Sequence, residues 1–424
     1  MKTVKLKHMT KKIIMTAGMA ALLAALTGCG RQSDADRFLS VENGHLVNGK
    51  GEEVVLRGVN LGGWLIQESW MCPVNGEDRA WANLDTLNAL ESRFTEEQVQ
   101  TLLDTYQDNW ITEEDISIIA AAGCNVVRVP FWYRNFMKDE TGTWIEENPD
   151  DNPGFKRLDW VIEMAEKYDM YVILDMHGCP GGQSMDHCCG TLCENRLYTD
   201  EICQETMEKL WVAIASRYRD NATVAAYDIM NEPQNNGGYE GENSYDPWQS
   251  HSWEMTNKIY DRMIKAIREV DDRHVITVEG IWRVSNLPDP AKLGWTNMMY
   301  QLHLYDDTNG FRTLAADLAK TCQRLNVAGY VGEFQNLAGL EICNQNGLSW
   351  TTWTYKGTNS DVGSFFWYFG NKVEKADSLN DSYETILEKW GDPIRTEHFQ
   401  KKLNVTRAVE SKTVTAEEDK EAEK

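Results

Sequence analysis

The sequence predicts a (β/α)8 barrel, and three observations carry that expectation. Eight short apolar runs recur along the chain, at 54–61, 126–131, 171–176, 224–230, 275–278, 299–304, 327–331 and 364–369. They are too continuously apolar to be half-exposed strands and fit strands buried on both faces. Segments of helical period separate them, such as Met207, Trp211, Ile214 and Tyr218, or Met255, Ile259, Met263, Ile267 and Val270. Eight strands alternating with helices over ~250 to 400 residues is the barrel pattern. A doubly wound open sheet would instead show a glycine-rich phosphate turn after its first strand, and Gly58-Val-Asn-Leu-Gly-Gly63 lacks that spacing.

Taken in order, the chain begins with an export signal. Lys2, Lys5, Lys7, Lys11 and Lys12 precede an apolar stretch from Ile13 to Leu26. Leu26-Thr27-Gly28-Cys29 then resembles the lipobox of bacterial lipoproteins. That resemblance implies a signal peptide over 1–28, cleavage before Cys29, a lipid on its thiol and a chain held at the outer face of the membrane. Residues 29–37 read as a polar tether, and the folded part is expected over 38–409. Residues 67–110 form an insertion between the first strand and first helix, with a helical stretch from Glu96 to Tyr106. Thr112-Glu-Glu-Asp115 has the form of a capping box, opening a helix that carries Ile116, Ile119 and Ala120 and stops at Gly123. Residues 410–424 are acidic and poor in large apolar groups, so disorder is expected there.

Composition narrows the partners. Of 424 residues 42% are hydrophobic, enough for a real core, and the formal net charge is -24. Such a surface cannot neutralise phosphates, so no nucleic-acid partner is expected, and membrane contact is expected only through the N-terminal lipid. A neutral substrate fits best. Sixteen Trp and sixteen Tyr offer flat apolar faces with polar edges, on which sugar rings can stack. Nine of the ten cysteines remain beside Cys29, an odd number that leaves at least one thiol outside any intrachain pairing. His187, Cys188, Cys189 and Cys193 match no established zinc spacing, and neither a metal nor a cofactor is expected. A monomer is expected.

The chemistry lies where strands end. Pro233 stops the run that ends in Asn231-Glu232, which presents Glu232 at a rim, and Glu333 closes a run of the same shape about a hundred residues later. Two carboxylates on two strand ends are the minimum equipment for hydrolysing a glycosidic bond. The other predicted ends deliver Arg128, His177, His303 with Tyr305, and Trp367. Polar groups inside apolar runs are costly unless paired or functional.

In that order and on those strands, the eight residues resemble the active-site set of glycoside hydrolase family 5. Arg57-Gly-Val-Asn-Leu-Gly-Gly-Trp-Leu65, Glu68, Trp70 and 108–130 are similar to its exo-β-1,3-glucanase members. The resemblance implies a retaining double displacement with Glu232 as acid/base and Glu333 as nucleophile. It implies that Arg128 and Tyr305 hold Glu333, that Asn231 meets the sugar 2-hydroxyl, and that His177 and His303 line the site. Trp367 would be its floor, Glu68 would close the pocket, and Asp186 would contact sugar. The loop 179–193 departs from the glucanases in its cysteines and in Met185, where a ring is expected. The expected activity is exo-hydrolysis of β-glucan or its oligosaccharides. The alternatives are an endo-β-1,4-glucanase, a β-glucosidase of small glycosides, and a glycan-binding lipoprotein without catalysis.

Overall fold

Seven of the eight apolar runs become strands of one closed parallel barrel. The computed structural model describes residues 34–74, 82–192, 194–234, 250–280, 283–358 and 365–422. The barrel strands are β1 (Arg57–Asn60), β2 (Val126–Trp132), β3 (Tyr171–Gly178) and β4 (Val224–Asp228). They continue with β5 (Val275–Glu279), β6 (Met298–Leu304), β7 (Ala328–Phe334) and β8 (Ser349–Thr352). Each pairs in parallel with its sequence neighbour, and β8 closes on β1 with Trp350 opposite Arg57. Parallel neighbours require a crossover, supplied here by helices on the outside.

The outer helices are α1 (Glu113–Ala121), α2 (Pro153–Lys167), α3 (Glu201–Tyr218), α4 (Ser250–Arg268) and α5, a single turn at Pro290–Leu293. They continue with α6 (Thr308–Leu325), α7 (Leu337–Gln345) and α8 (Leu403–Ala422). The cap expected at Thr112 forms, its main-chain N–H and hydroxyl both donating to Asp115 at 2.7 and 2.9 Å. Met207, Trp211, Ile214 and Tyr218 are all buried on the inner face of α3. The insertion between β1 and α1 carries helices Asn83–Glu91 and Glu96–Trp110, the second packed against helix Tyr383–Trp390. The lower mouth is covered by a hairpin, Ser40–Glu42 with His45–Val47, which sets Leu46 with nearby Leu39 against the first residues of the barrel strands.

Two expectations are corrected. The run 364–369 is not the eighth barrel strand: Tyr368–Gly370 pairs with Lys356–Thr358 and Gln400–Lys401 in a small sheet outside the barrel. The true β8, Ser-Trp-Thr-Thr, is short and mostly hydroxylated, so hydropathy passed over it in favour of the more aromatic segment. Nor is 410–424 disordered as a whole, because α8 extends to Ala422. Val405 and Val409 are buried, and the Thr413 hydroxyl donates to the Ala122 carbonyl at 2.6 Å, so the acidic segment continues a helix anchored upstream. Cys29 and the signal segment lie outside the described residues.

Candidate active site

Charge inside the barrel is organised by one cation. Arg128, from the third position of β2, is fully buried, and an isolated charge there would be prohibitive. Its guanidinium donates to Asp228 at 2.8 Å, to Asn60 at 3.0 Å, to Glu333 at 2.8 Å and to Asn231 at 2.9 Å, with Asp175 at 3.1 Å. Burial lifts Asp175 to about 7 and Asp228 to about 6, while the arginine pulls both back. A planar donor fork facing this many acceptors is rigid, so Glu333 and Asn231 inherit fixed positions.

Glu333 lies near the end of β7, with its second oxygen accepting from the Tyr305 hydroxyl at 2.7 Å. Burial raises its pKa, and Arg128 opposes the rise. Glu232 stands beyond β4 with φ +40°, left-handed backbone that turns its side chain toward Glu333. Burial raises its pKa too, with His177 and Arg128 opposing. Nδ1 of His303 lies 2.9 Å from Glu232, and burial drives this imidazole down to about 3, so it stays neutral. Oxygens of Glu232 and Glu333 come within 4.8 Å of each other. Gly332 is required beside them, since a Cβ there would stand 2.2 Å from Gln301 Oε1 and 2.9 Å from His303 Nε2.

The wall of the cavity that His177 and Asn231 form is set from behind. His177 Nδ1 bonds Asp175 at 2.7 Å, which leaves Nε2 as acceptor, 3.4 Å from the Asn231 amide nitrogen. Asn231 is thereby oriented, oxygen to Arg128 and nitrogen to His177. Gln183 ties the same region together, donating to the carbonyls of His177 at 2.7 Å and Asn231 at 2.9 Å. The cavity above these groups holds about 340 Å³ and reaches Glu68, Asp186, Cys188 and Trp70 as well as the glutamate pair. Glu68 is buried and accepts from the Trp70 indole at 2.8 Å, whereas Asp186 is exposed at the mouth.

Thus Glu68, His177, Asp186, Asn231, Glu232, Tyr305 and Glu333 meet in one cavity, with Arg128 and His303 directly behind. Trp367 does not join them. It packs behind β8, its indole 3.3 Å from the Thr352 hydroxyl, because its segment is not a barrel strand. The ring that the end of β8 does deliver to the cavity is Trp353, stacked on His177 at 5.4 Å and 8°. Sequence reasoning also missed Asp175, Asp228 and Glu279. The two aspartates stood inside runs already taken as strands, where an acidic residue was itself the signal. Among the described residues Glu232, His303 and Glu333 are also grouped closely enough to suit a cation, but Arg128 already serves Glu333.

A family model described as Cellulase (glycosyl hydrolase family 5) matches residues 87–373. A β-xylosidase of Phanerodontia chrysosporium is 28% identical over 371 residues, 77% of this chain and 71% of that protein. A probable glucan 1,3-beta-glucosidase A of Aspergillus fumigatus is 27% identical over 347 residues, 79% of this chain and 75% of that one. With several other glucan 1,3-beta-glucosidases the match spans 42 to 44% of their length. The crystal structure of rutinosidase from Aspergillus niger superposes with a TM-score of 0.57 at 19% identity, covering 80% of this chain and 98% of that one, a likeness of fold. Because the family match takes in the strands that deliver Arg128, His177, Glu232, His303 and Glu333, the chain belongs to glycosyl hydrolase family 5.

Proposed function

We propose that this enzyme hydrolyses β-glucosidic bonds with retention, removing terminal sugars from β-glucan or its oligosaccharides. The observation that carries the reading is that Glu232 and Glu333 face one cavity with a carboxyl oxygen of each within 4.8 Å of the other. Retaining pairs hold their carboxyl groups ~5 to 5.5 Å apart and inverting pairs ~6.5 to 9.5 Å apart to admit a water, and oxygens this close favour the shorter spacing. Glu333, the better solvated by donors, attacks the anomeric carbon as Glu232 protonates the departing oxygen. A glycosyl ester on Glu333 results. Glu232, now a carboxylate, takes a proton from water whose oxygen attacks the same carbon, freeing Glu333 and returning a proton to Glu232. Asn231 is placed to bond the ring hydroxyl beside that carbon as charge develops.

Removal of terminal units, rather than internal cutting, is supported by the size of the cavity and by the buried Glu68–Trp70 pair in its wall. The relatives are named for a xylosidase and for 1,3-β-glucosidases. Nuclear magnetic resonance of the first product from an aryl β-glucoside should show the β-anomer; the α-anomer would refute retention. Laminarin should yield glucose without a rapid fall in viscosity, and an early fall would favour an endoglucanase. The lipobox at 26–29 supports anchoring through Cys29, so Cys29→Ser should abolish labelling by fatty acid and release the protein from membranes.

A further inference from the structure

Strand β5 ends in Glu279, to which the reaction above gives no task. Its side chain is wholly buried, and one carboxyl oxygen accepts the main-chain N–H of Glu232 at 2.7 Å. The other oxygen lies 3.5 Å from His303 Nδ1, the nitrogen that also bonds the Glu232 carboxyl, and has no hydrogen-bond partner. Glu279 therefore reaches the acid/base by two handles, directly at the Glu232 amide and indirectly through the neighbouring His303 imidazole that bonds the Glu232 carboxyl. The first handle matters because a left-handed φ at a residue other than glycine is strained and persists only when its surroundings impose it. Pro233 follows, disfavouring helical backbone at Glu232 and supplying no N–H of its own.

We propose that Glu279 is a positioning residue for the acid/base, a neutral carboxyl that fixes the main chain of Glu232 and, through His303, the aim of its side chain. The groups facing it are Glu232, His303 and Glu333, with Asp228 close by and the Tyr260 hydroxyl bonded to its main chain at 3.1 and 3.2 Å. None of these is a cation, and Arg128 is engaged by Asp175, Asp228 and Glu333. Burial, and then the charge of Glu232, push the carboxyl well above its ordinary range. Glutamine is consequently the closest mimic of its working form.

The inference rests on the proposed reaction, and leaving groups separate the two. A 2,4-dinitrophenyl β-glucoside departs without a proton, whereas a 4-methoxyphenyl β-glucoside needs one. Glu279→Ala should lose about tenfold more kcat/KM on the second than on the first, a part of the ~10²- to 10⁴-fold that acid catalysis supplies. Glu279→Gln should recover most of that selectivity, with the alkaline limb of its pH profile in place. Equal losses on both substrates would overturn the positioning role. An alkaline limb displaced downward by about one unit or more in Glu279→Gln would overturn the neutral state, since a lost negative charge lowers the pKa of Glu232. This second measurement decides the matter if the alanine variant does not fold. A wild-type enzyme that cleaves neither glucoside would overturn the proposed reaction and this role with it.

Discussion

At the lower mouth of the barrel Leu39, Leu46 and Leu56 meet Val126, Val275 and Met299 in a core of ordinary hydrocarbon contacts. Higher up, the same strands carry Arg128, Asp175, Asp228, Glu279 and Glu333, buried as deeply. The lower end gains free energy simply by leaving water. The upper end does not: Asp175, Asp228 and Glu333 share one arginine, Glu232 and Glu279 crowd beside them, and burial displaces the pKa of each. The barrel thus draws its stability from one end and spends some of it holding reactive groups at the other.

The contrast can be tested from its largest effect downward. Glu333→Ala should remove ~10⁴ to 10⁶ of kcat, the scale on which loss of a nucleophile acts, with the thermal midpoint unchanged or raised. Aryl-glucoside turnover and calorimetry on the same sample check this. Arg128→Met should lower both activity and stability, the latter by about 3 to 5 kcal/mol, because Asp175, Asp228 and Glu333 would lose their shared cation. Met299→Ala should cost about 2 to 5 kcal/mol by urea titration yet leave kcat of the folded enzyme intact.

A pH series sharpens the comparison further. Asp175 and Asp228, at about 7 and about 6, keep protons in the folded state that an unfolded aspartate releases near ~3.9. The folded state then binds more protons than the unfolded between ~4 and ~7, so this contribution to stability is present below that window and is lost as pH rises through it. Urea midpoints across the window should fall with rising pH, and Met299→Ala should show the same slope as wild type. Activity should be bell-shaped, losing the ionised Glu333 on the acid side and the protonated Glu232 on the alkaline side. The two apparent values belong to the coupled pair.

The legible part of the molecule was the part whose chemistry repeats. Strands β2 to β7 stand within two or three residues of their apolar runs, and Glu232 and Glu333 stood out because each ends such a run. The cap at Thr112 is local and needs no tertiary knowledge. By contrast β8 owes its place to closure against β1, with hydroxyls such as Thr351 satisfied inside by Tyr330 and the Gly332 carbonyl. Composition cannot announce that. The misplaced strand carried Trp367 with it, and hid Trp353. Glu279 escaped by one residue, since the apolar run ends at Val278 while the strand goes on to present its carboxyl.

The hairpin beneath the barrel has a consequence for how the chain assembles. Val41 donates to Asn297 at 2.8 Å and Gly44 to Asn326 at 3.0 Å, across 256 and 282 residues of sequence. At ~5 to 20 residues per second, translation delivers those partners on the order of tens of seconds after the hairpin. Closure of β8 on β1 is as remote, so the earliest folded segment must wait for nearly the last. Contacts of such separation make folding slow, and the unsealed lower mouth, with Leu39 and Leu46 still in water, is the surface on which unfinished chains would stick to one another.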